Sequence, residues 1–384
     1  MLMAPLMVFL ILTFFVPIAY MLRWAVIDTE LSSAWTRTAH AVKQWDESTP
    51  PTEAMFAALA LDLKDNASTG ANATIARRLA YVDASARSLV MGTARKIRSA
   101  SPSPDWKTVM IQADPAWGEV RNWQLLKHAA GPITPFFLLY ALDLRQDASG
   151  HILAAPPEQS LFIDVLLRTF AIAALVTCLT LLLGFPVAYL AANWNSPLAS
   201  VLLALVLIPF WTPLLVRTAG WLVMLQDNGV INQFLLSIGA VSQPMKLIYN
   251  RFGVVVSMTH VLLPFMILPI YSVMKTVPKH LQQAALSLGA SPTTAFVRVY
   301  LPQVKPGITA GALLVFILAL GYYITPALLG GQSDQMLSSF IAFYVSGTAN
   351  WGLAAALGLI LLVSTLILYA IYQRLTMSRI HVRA

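Results

Sequence analysis

Between Leu281 and Ile308 the chain reads LQQAALSLGASPTTAFVRVYLPQVKPGI. This polar, basic, proline-marked stretch lies between long apolar segments. A helix is expected to begin after Pro278 and to break near Gly289 and Pro292. It then restarts, and Pro302 and Pro306 are expected to stop and redirect the chain into the next span. Ala285 and Gly289 stand four residues apart with Ala284 beside them, so small residues share one helix face. Such a face lets another backbone come close, and Gly289 can take a positive φ to turn the chain. Phe296, Val299 and Tyr300 are placed to pack on neighbouring structure. Two readings fit: a loop that only re-enters its own bundle, or a protruding helix that fits a groove on a partner. The side of the membrane on which it lies decides between partners.

The flanks are membrane spans. The chain has 384 residues, 58% hydrophobic and only 11% charged, against about 25% charged in soluble domains. Thr169 to Val216 is a run of 48 residues without a charge. As one helix it would extend ~72 Å, while the hydrocarbon core is ~30 Å thick, so it must fold back. Asn193–Pro197 is the turn, giving spans over 162–192 and 198–225. Further spans are expected over 252–274, 306–328 and 351–372. Met1–Tyr20 is long, apolar and uncharged, and reads as an uncleaved first span rather than a signal peptide. Gln226–Asn250 reads as a short amphipathic excursion at the membrane surface. The fold class is an all-α membrane protein of six transmembrane helices. Its parts are a first helix over 1–27, an insertion over 28–158, a membrane core over 159–374 containing the loop 275–305, and a tail over 375–384.

Charge placement sets the orientation. Of the 17 acidic residues, 14 lie between Asp28 and Glu158, with 13 of the 25 Lys and Arg. The insertion is nearly neutral, and the excess of +8 belongs to the membrane half. That excess flanks spans and is not a nucleic-acid surface. The loop after span four carries Lys275, Lys279, Arg298 and Lys305 without an acid, and the tail carries Arg374, Arg379 and Arg383 without one. An even number of spans puts these segments on one face, so the positive-inside rule makes both cytoplasmic, together with both termini. The insertion and the excursion are then outside.

Within the insertion, 51–65 and 74–97 have helical periodicity, and 142–153 reads as a hairpin turning at Ala148–Gly150. STPP, NASTGAN and SASPSPD read as linkers. The domain is of mainly helical or α+β character. Arg95, Lys96 and Arg98 read as a solvated helix face. No catalytic constellation is visible, Cys178 is the lone cysteine, and the six histidines show no ligand spacing. Disulfides within the chain and cysteine-based metal sites are excluded, and the metal assignment is none.

The loop resembles the EAA loop of ABC-importer permeases. The matching positions are Gln283-Ala284-Ala285, Gly289-Ala290-Ser291, Phe296, Leu301-Pro302 and Pro306-Gly307. Gln283 stands where the family usually has Glu, so a charge-assisted contact becomes a neutral one. From about Leu161 to Arg374 the chain is similar to spermidine/putrescine-type permeases and their relatives that import opines and related cationic compounds. The segments VRTAGWLVMLQDNGVINQFLL, YNRFGVVVSMTHVLLPFMILPIYSVMK and LVFILALGYYITPALLGG carry that likeness. The insertion is not a general feature of the family.

The resemblance implies a type I importer fold in the bacterial inner membrane. It implies a second permease subunit, in a heterodimer, and two copies of a cytoplasmic ATPase that bind ATP and Mg. It also implies a periplasmic substrate-binding protein, with lipid around the spans. This chain would hold no cofactor and catalyse nothing; its loop would seat in the ATPase and couple hydrolysis to transport. Candidates along the substrate path are Tyr322, Tyr323, Thr325, Asp334 and Trp351, which the residues alone allow equally to be interfacial anchors. The substrate is expected to be a polyamine, an opine or an amino-acid derivative. A receptor using the outer domain is a second class, but little chain follows Tyr372 to serve as an output. An ion-driven carrier would keep ionisable groups within its spans. The three acids of the membrane half, Asp164, Asp227 and Asp334, fall near span ends.

Overall fold

The computed structural model describes residues 4–47, 49–99, 105–147, 151–194 and 196–377. Among these residues, five helices are long and apolar enough to cross a membrane: Ala4–Ala25, Phe162–Asn193, Arg251–Thr276, Pro292–Leu320 and Trp351–Arg374. The bent pair Pro197–Trp211 and Leu214–Ser237 makes a sixth if it is counted as one span. The fold is therefore all-α and multi-span, with a large insertion between the first two spans. By contact the chain divides into two compact units, Met1–Ile163 with Tyr344–Ala384, and Asp164–Phe343. By this division the last span groups with the insertion and the first span.

In the first unit the insertion is built from short helices: Glu30–Ala34, Thr36–Lys43, Glu53–Asp65, Ala71–Ala80, Ala86–Ile97, Trp106–Ala113, Val120–Ala129 and Phe136–Ala141. The periodic run 74–97 falls on two helices, because Asp83 turns the chain between them by accepting from the Ser85 amide at 3.0 Å and hydroxyl at 2.6 Å. Strands Leu144–Gln146 and Ile152–Ala154 pair antiparallel; the tip of that hairpin, 148–150, lies outside the described residues, as does most of the SASPSPD linker.

The insertion closes its own core around Trp35, Phe56, Trp117 and Trp123. Burying an indole is favourable only if its N–H finds an acceptor. Trp35 donates to Asn72 at 2.9 Å, Trp117 to Thr93 at 2.8 Å and Trp123 to the Trp117 carbonyl at 2.9 Å. One ion pair is buried, with Arg78 Nε 2.6 Å from Asp28 Oδ2. The Arg78 guanidinium also lies 3.5 Å over the Phe136 ring. Burial holds Arg78 below its ordinary pKa, and the Asp28 carboxylate opposes that shift.

The insertion is tied to two span ends in this unit. Asp143 accepts from the backbone amides of Leu161, Phe162 and Ile163 at 2.8–3.0 Å. It thus satisfies the otherwise orphaned N–H groups that open the Phe162–Asn193 helix. At the start of the last span, Gly352 lies under the Phe137 ring so closely that a Cβ there would meet it at 2.3 Å. Arg77 donates to the Thr348 carbonyl at 3.2 Å, and Asn350 to the Tyr81 hydroxyl at 3.3 Å.

The second unit packs around Arg251–Thr276 and Leu301–Leu320, whose buried residues include Met258, Met266, Ile267, Ile270, Val304 and Val315. Their crossing is close because Gly307 and Gly311 stand four apart: a Cβ at Gly307 would lie 2.9 Å from the Pro269 carbonyl oxygen, and one at Gly311 3.0 Å from that of Met266. Small residues at this spacing bring membrane helices together.

Prolines act differently from the sequence expectation in two places. Span three is not one helix: it bends by 102° between Trp211 and Leu214. Pro213 disfavours the helical conformation at the residue before it, and Thr212 is extended at φ −99°, ψ 133°. Pro302 and Pro306, by contrast, do not stop the chain and lie within the continuous helix Pro292–Leu320. A π-helical turn over Phe296–Tyr300 ends two residues before Pro302. Another, over Ile11–Phe15, ends two residues before Pro17 in the first span. Proline offers no N–H and clashes with the carbonyl four residues back, and widening the preceding turn relieves that clash.

Candidate functional site

The loop between spans four and five is ordered and projects its residues. Helix Lys279–Ser287 ends at Gly289, whose φ is +88°. The Gly289 amide bonds to the Leu286 carbonyl and the Ala290 amide to the Ala285 carbonyl, both at 3.0 Å. These two bonds form a Schellman cap, which needs the left-handed residue that glycine supplies. Ser291 then caps the next turn, Pro292–Ala295, accepting from the Thr294 amide at 3.2 Å. Gln283, Ala284 and Gly289 are exposed, Ala285 and Ala290 half-buried. Leu288 is 89% exposed, and Leu281 and Leu286 are exposed beside it. The capped helix and the turn after it thus carry three exposed leucines.

The base of this loop is fixed to span two. Phe296 meets Tyr189 and Phe185 edge-on and stacks on Tyr300. Asn193 donates to the buried Tyr300 hydroxyl at 3.0 Å. Leu301 and Pro302 open the helix that follows, and Pro306 lies inside it. Gly307 sits at the helix crossing, away from the loop surface. From this base Pro292–Leu320 runs unbroken to Gly321.

At that far end is a second site. Tyr322 and Tyr323 occupy the break before the short helix Ile324–Leu329. That helix packs on Leu214–Leu225, which follows the bend of span three. Thr325 meets Thr218 at 3.3 Å, hydroxyl to hydroxyl. Trp221 donates to His260 Nδ1 at 3.1 Å, so a neutral His260 carries its proton on Nε2. The charge of Arg217 acts on both Tyr322 and His260. The Tyr322 hydroxyl is buried beside Thr325 without completing a hydrogen bond, and Arg217 Nε is buried without an acceptor.

Asp334 is not a free pathway carboxylate. It is 5% exposed and bonds to Arg251 Nε at 3.1 Å, next to the close turn at Gly330 and Gly331. Tyr322, Tyr323, Thr325 and Asp334 belong to one compact unit and Trp351 to the other. Arg217, Trp221 and His260 were missed by sequence reasoning. The signal was present, since Arg217 is the charge that ends the 48-residue uncharged run, inside an expected span. A charge within a span is costly and marks function by default.

Comparison with known proteins places this geometry. The family described as "Binding-protein-dependent transport system inner membrane component" matches residues 184–379. The chain is 33% identical over 214 residues to the spermidine/putrescine transport system permease protein PotB of Salmonella typhimurium (strain SL1344), covering 56% of this chain and 75% of that one. With PotB of Haemophilus influenzae it is 35% identical over 209 residues, covering 54% and 73%. A bacterial alginate ABC transporter, solved in complex with its alginate pentasaccharide-bound periplasmic protein, has a chain of TM-score 0.45 at 17% identity, covering 54% of this chain and 75% of that one.

Proposed function

The chain belongs to the family of binding-protein-dependent transport system inner membrane components, and from that premise we propose that it carries a small, cationic solute of the polyamine, opine or related amino-acid-derived class. It is a multi-pass inner-membrane permease subunit of an ABC importer, working with a separate ATPase and a periplasmic binding protein. ATP and Mg are the ATPase's ligands; this subunit supplies the path and the coupling. The substrate class rests on the likeness to spermidine/putrescine permeases.

Two copies of the ATPase and a second, different permease complete the assembly in this reading. The loop 275–305 and both termini face the cytoplasm, and 28–158 the periplasm. Gln283, Ala284, Ala285, Gly289, Ala290 and Ser291 form the surface seated in the ATPase. The observation that carries the reading is the capped, exposed helix Lys279–Ser287 with its outward leucines. Phe296 and Tyr300 hold its base against Tyr189 and Asn193. A push on the loop by the closing ATPase is delivered along Leu301–Leu320, ~30 Å of helix at 1.5 Å per residue. It arrives at the Tyr322 break, where rigid-body rocking opens or closes the path.

Purification from native membranes tests this. A co-purifying ATPase, with hydrolysis in vesicles stimulated by the loaded binding protein, is the expected result. Isolation of the chain alone, with no stimulated hydrolysis, refutes it. A reporter fused in the exposed turn near Gly70 is expected to be active only outside the cytoplasm.

A further inference from the structure

We propose that Arg217 and Tyr322 form a carboxylate-recognition site in the membrane half, so that the solute carries a carboxylate as well as an amino group. This rests on the importer reading and narrows its substrate class.

Polar atoms without partners are concentrated here. Five buried side-chain polar atoms lack a hydrogen bond among the described residues, and four belong to the membrane unit: Arg217 Nε, Ser257 Oγ, Thr259 Oγ1 and Tyr322 Oη. Ser257 is one turn before His260 on the same helix. A buried polar group left unpaired in an apolar environment is destabilising. Such groups persist where something else completes them.

The missing chemistry is an anionic acceptor. Arg217 and the Tyr322 hydroxyl are both donors, and a guanidinium fork matches a carboxylate with two parallel hydrogen bonds. His260 adds a third donor at Nε2 when neutral. Among the described residues no acid forms an ion pair with Arg217, and Asp334 is engaged by Arg251. The site lies where two interrupted helices meet, after the 102° bend of span three and at the break in span five. Discontinuous helices are where transporters place solute sites. The faces of Trp221 and Tyr322 offer the solute's ammonium group a cation–π surface. A diamine would meet Arg217 with like charge, whereas an amino acid derivative presents one group to each part of the site.

The same carboxylate can come from the solute or from a side chain of the second permease. Matched solutes separate these sources. Ornithine and putrescine, and arginine and agmatine, differ by one carboxylate. Their binding is measured by calorimetry on the intact permease–ATPase complex in nanodiscs, without binding protein. The amino acids are expected to bind at least tenfold tighter than the diamines. Arg217→Gln is expected to erase the preference, and Arg217→Lys to keep part of it. Diamines binding equally well, no binding by any of the four, or a preference that survives Arg217→Gln each overturns the proposal; equal binding assigns the carboxylate to the partner. Should Arg217→Gln not assemble, the wild-type comparison and Arg217→Lys decide. Failure of the importer reading itself shows separately, as absence of the co-purifying ATPase.

Discussion

Two arginines show how the insertion and the membrane core differ. Arg78, in the insertion, has its Nε on Asp28 at 2.6 Å and its face on Phe136. Arg217, in the membrane unit, has a buried Nε without a hydrogen-bond partner among the described residues. The insertion pairs its buried carboxylates internally, with Arg78 Nη1 its one buried side-chain polar atom left without a partner among the described residues; Asp62, 2% exposed, accepts from the Thr38 amide and hydroxyl at 2.8 Å each. The membrane unit leaves four buried side-chain polar atoms without a partner among the described residues. The first arginine is held by a carboxylate of its own domain, and the second has none among the described residues.

Leucine substitutions break or sharpen this contrast most strongly. Arg78→Leu strands the buried Asp28 and is expected to cost the insertion about 3–5 kcal/mol, the penalty for removing one member of a buried pair. Replacing Asp28 by Leu as well is expected to recover much of it, since a buried pair often exchanges for apolar side chains at little cost. Arg217→Leu is expected to leave thermal stability unchanged or raise it, because an unpaired donor is lost. Thermal unfolding of the purified protein measures all three. Equal destabilisation by Arg78→Leu and Arg217→Leu would show that Arg217 is structurally paired and would remove the distinction.

Two glycines carry the comparison into the core itself. A Cβ at Gly307 would meet the Pro269 carbonyl oxygen and Val273 Cβ, both at 2.9 Å. Gly307→Leu is expected to cost ~1–3 kcal/mol by overpacking, seen as reduced folded yield. Gly289 has nothing within 4 Å of a Cβ, but its φ is +88°. Gly289→Val therefore strains only the exposed loop, by ~1–3 kcal/mol, and the protein is expected to insert normally. The loss appears in ATPase co-purification or in stimulated hydrolysis. Gln283→Glu is expected to be mild, since Gln283 is exposed. Wild-type coupling in Gly289→Val would mean that the loop is only a re-entry segment.

The spans and the loop were legible in the sequence because they are written locally. Charge-free length marks a span, and Gly289 followed by Ser291-Pro292 marks a cap and a restart. What was not legible depends on neighbours distant in the chain. The run 198–225 gives the same apolar signal whether straight or bent, and only the conformation of Thr212 before Pro213 reveals the break. Pro302 reads as a stop until the π-helical turn before it is seen. The fit of Phe137 on Gly352 joins residues more than two hundred positions apart. Arg217 was visible as a residue, but its lack of a partner is a property of the packed structure.

The smallest expected effect tests whether the insertion is as complete as its pairing suggests. Glu30 is half-buried and donates its backbone amide to Asp28 at 3.1 Å. Burial, and next the Asp28 charge, raise its pKa above the ordinary value of 4.5, while Arg78 and Arg77 act the other way. A folded-state pKa above the unfolded one means that the folded state holds the proton more tightly. The stability this group contributes is full below 4.5 and is lost as pH rises through the raised value. At neutral pH the ionised Glu30 is thus a mild burden. Asp83 runs in the opposite direction: its hydrogen bond from Ser85 lowers its pKa below 3.8, so its contribution is present at neutral pH and lost on acidification. Glu30→Gln is expected to slow hydrogen exchange in the neighbouring Thr36–Lys43 helix slightly at pH 7, by less than ~1 kcal/mol in opening energy, and to have no such benefit at pH 4. Faster exchange at pH 7 in Glu30→Gln would show that the ionised carboxylate is held by Arg78 as a working member of the pair, and that the buried cluster is a three-residue network.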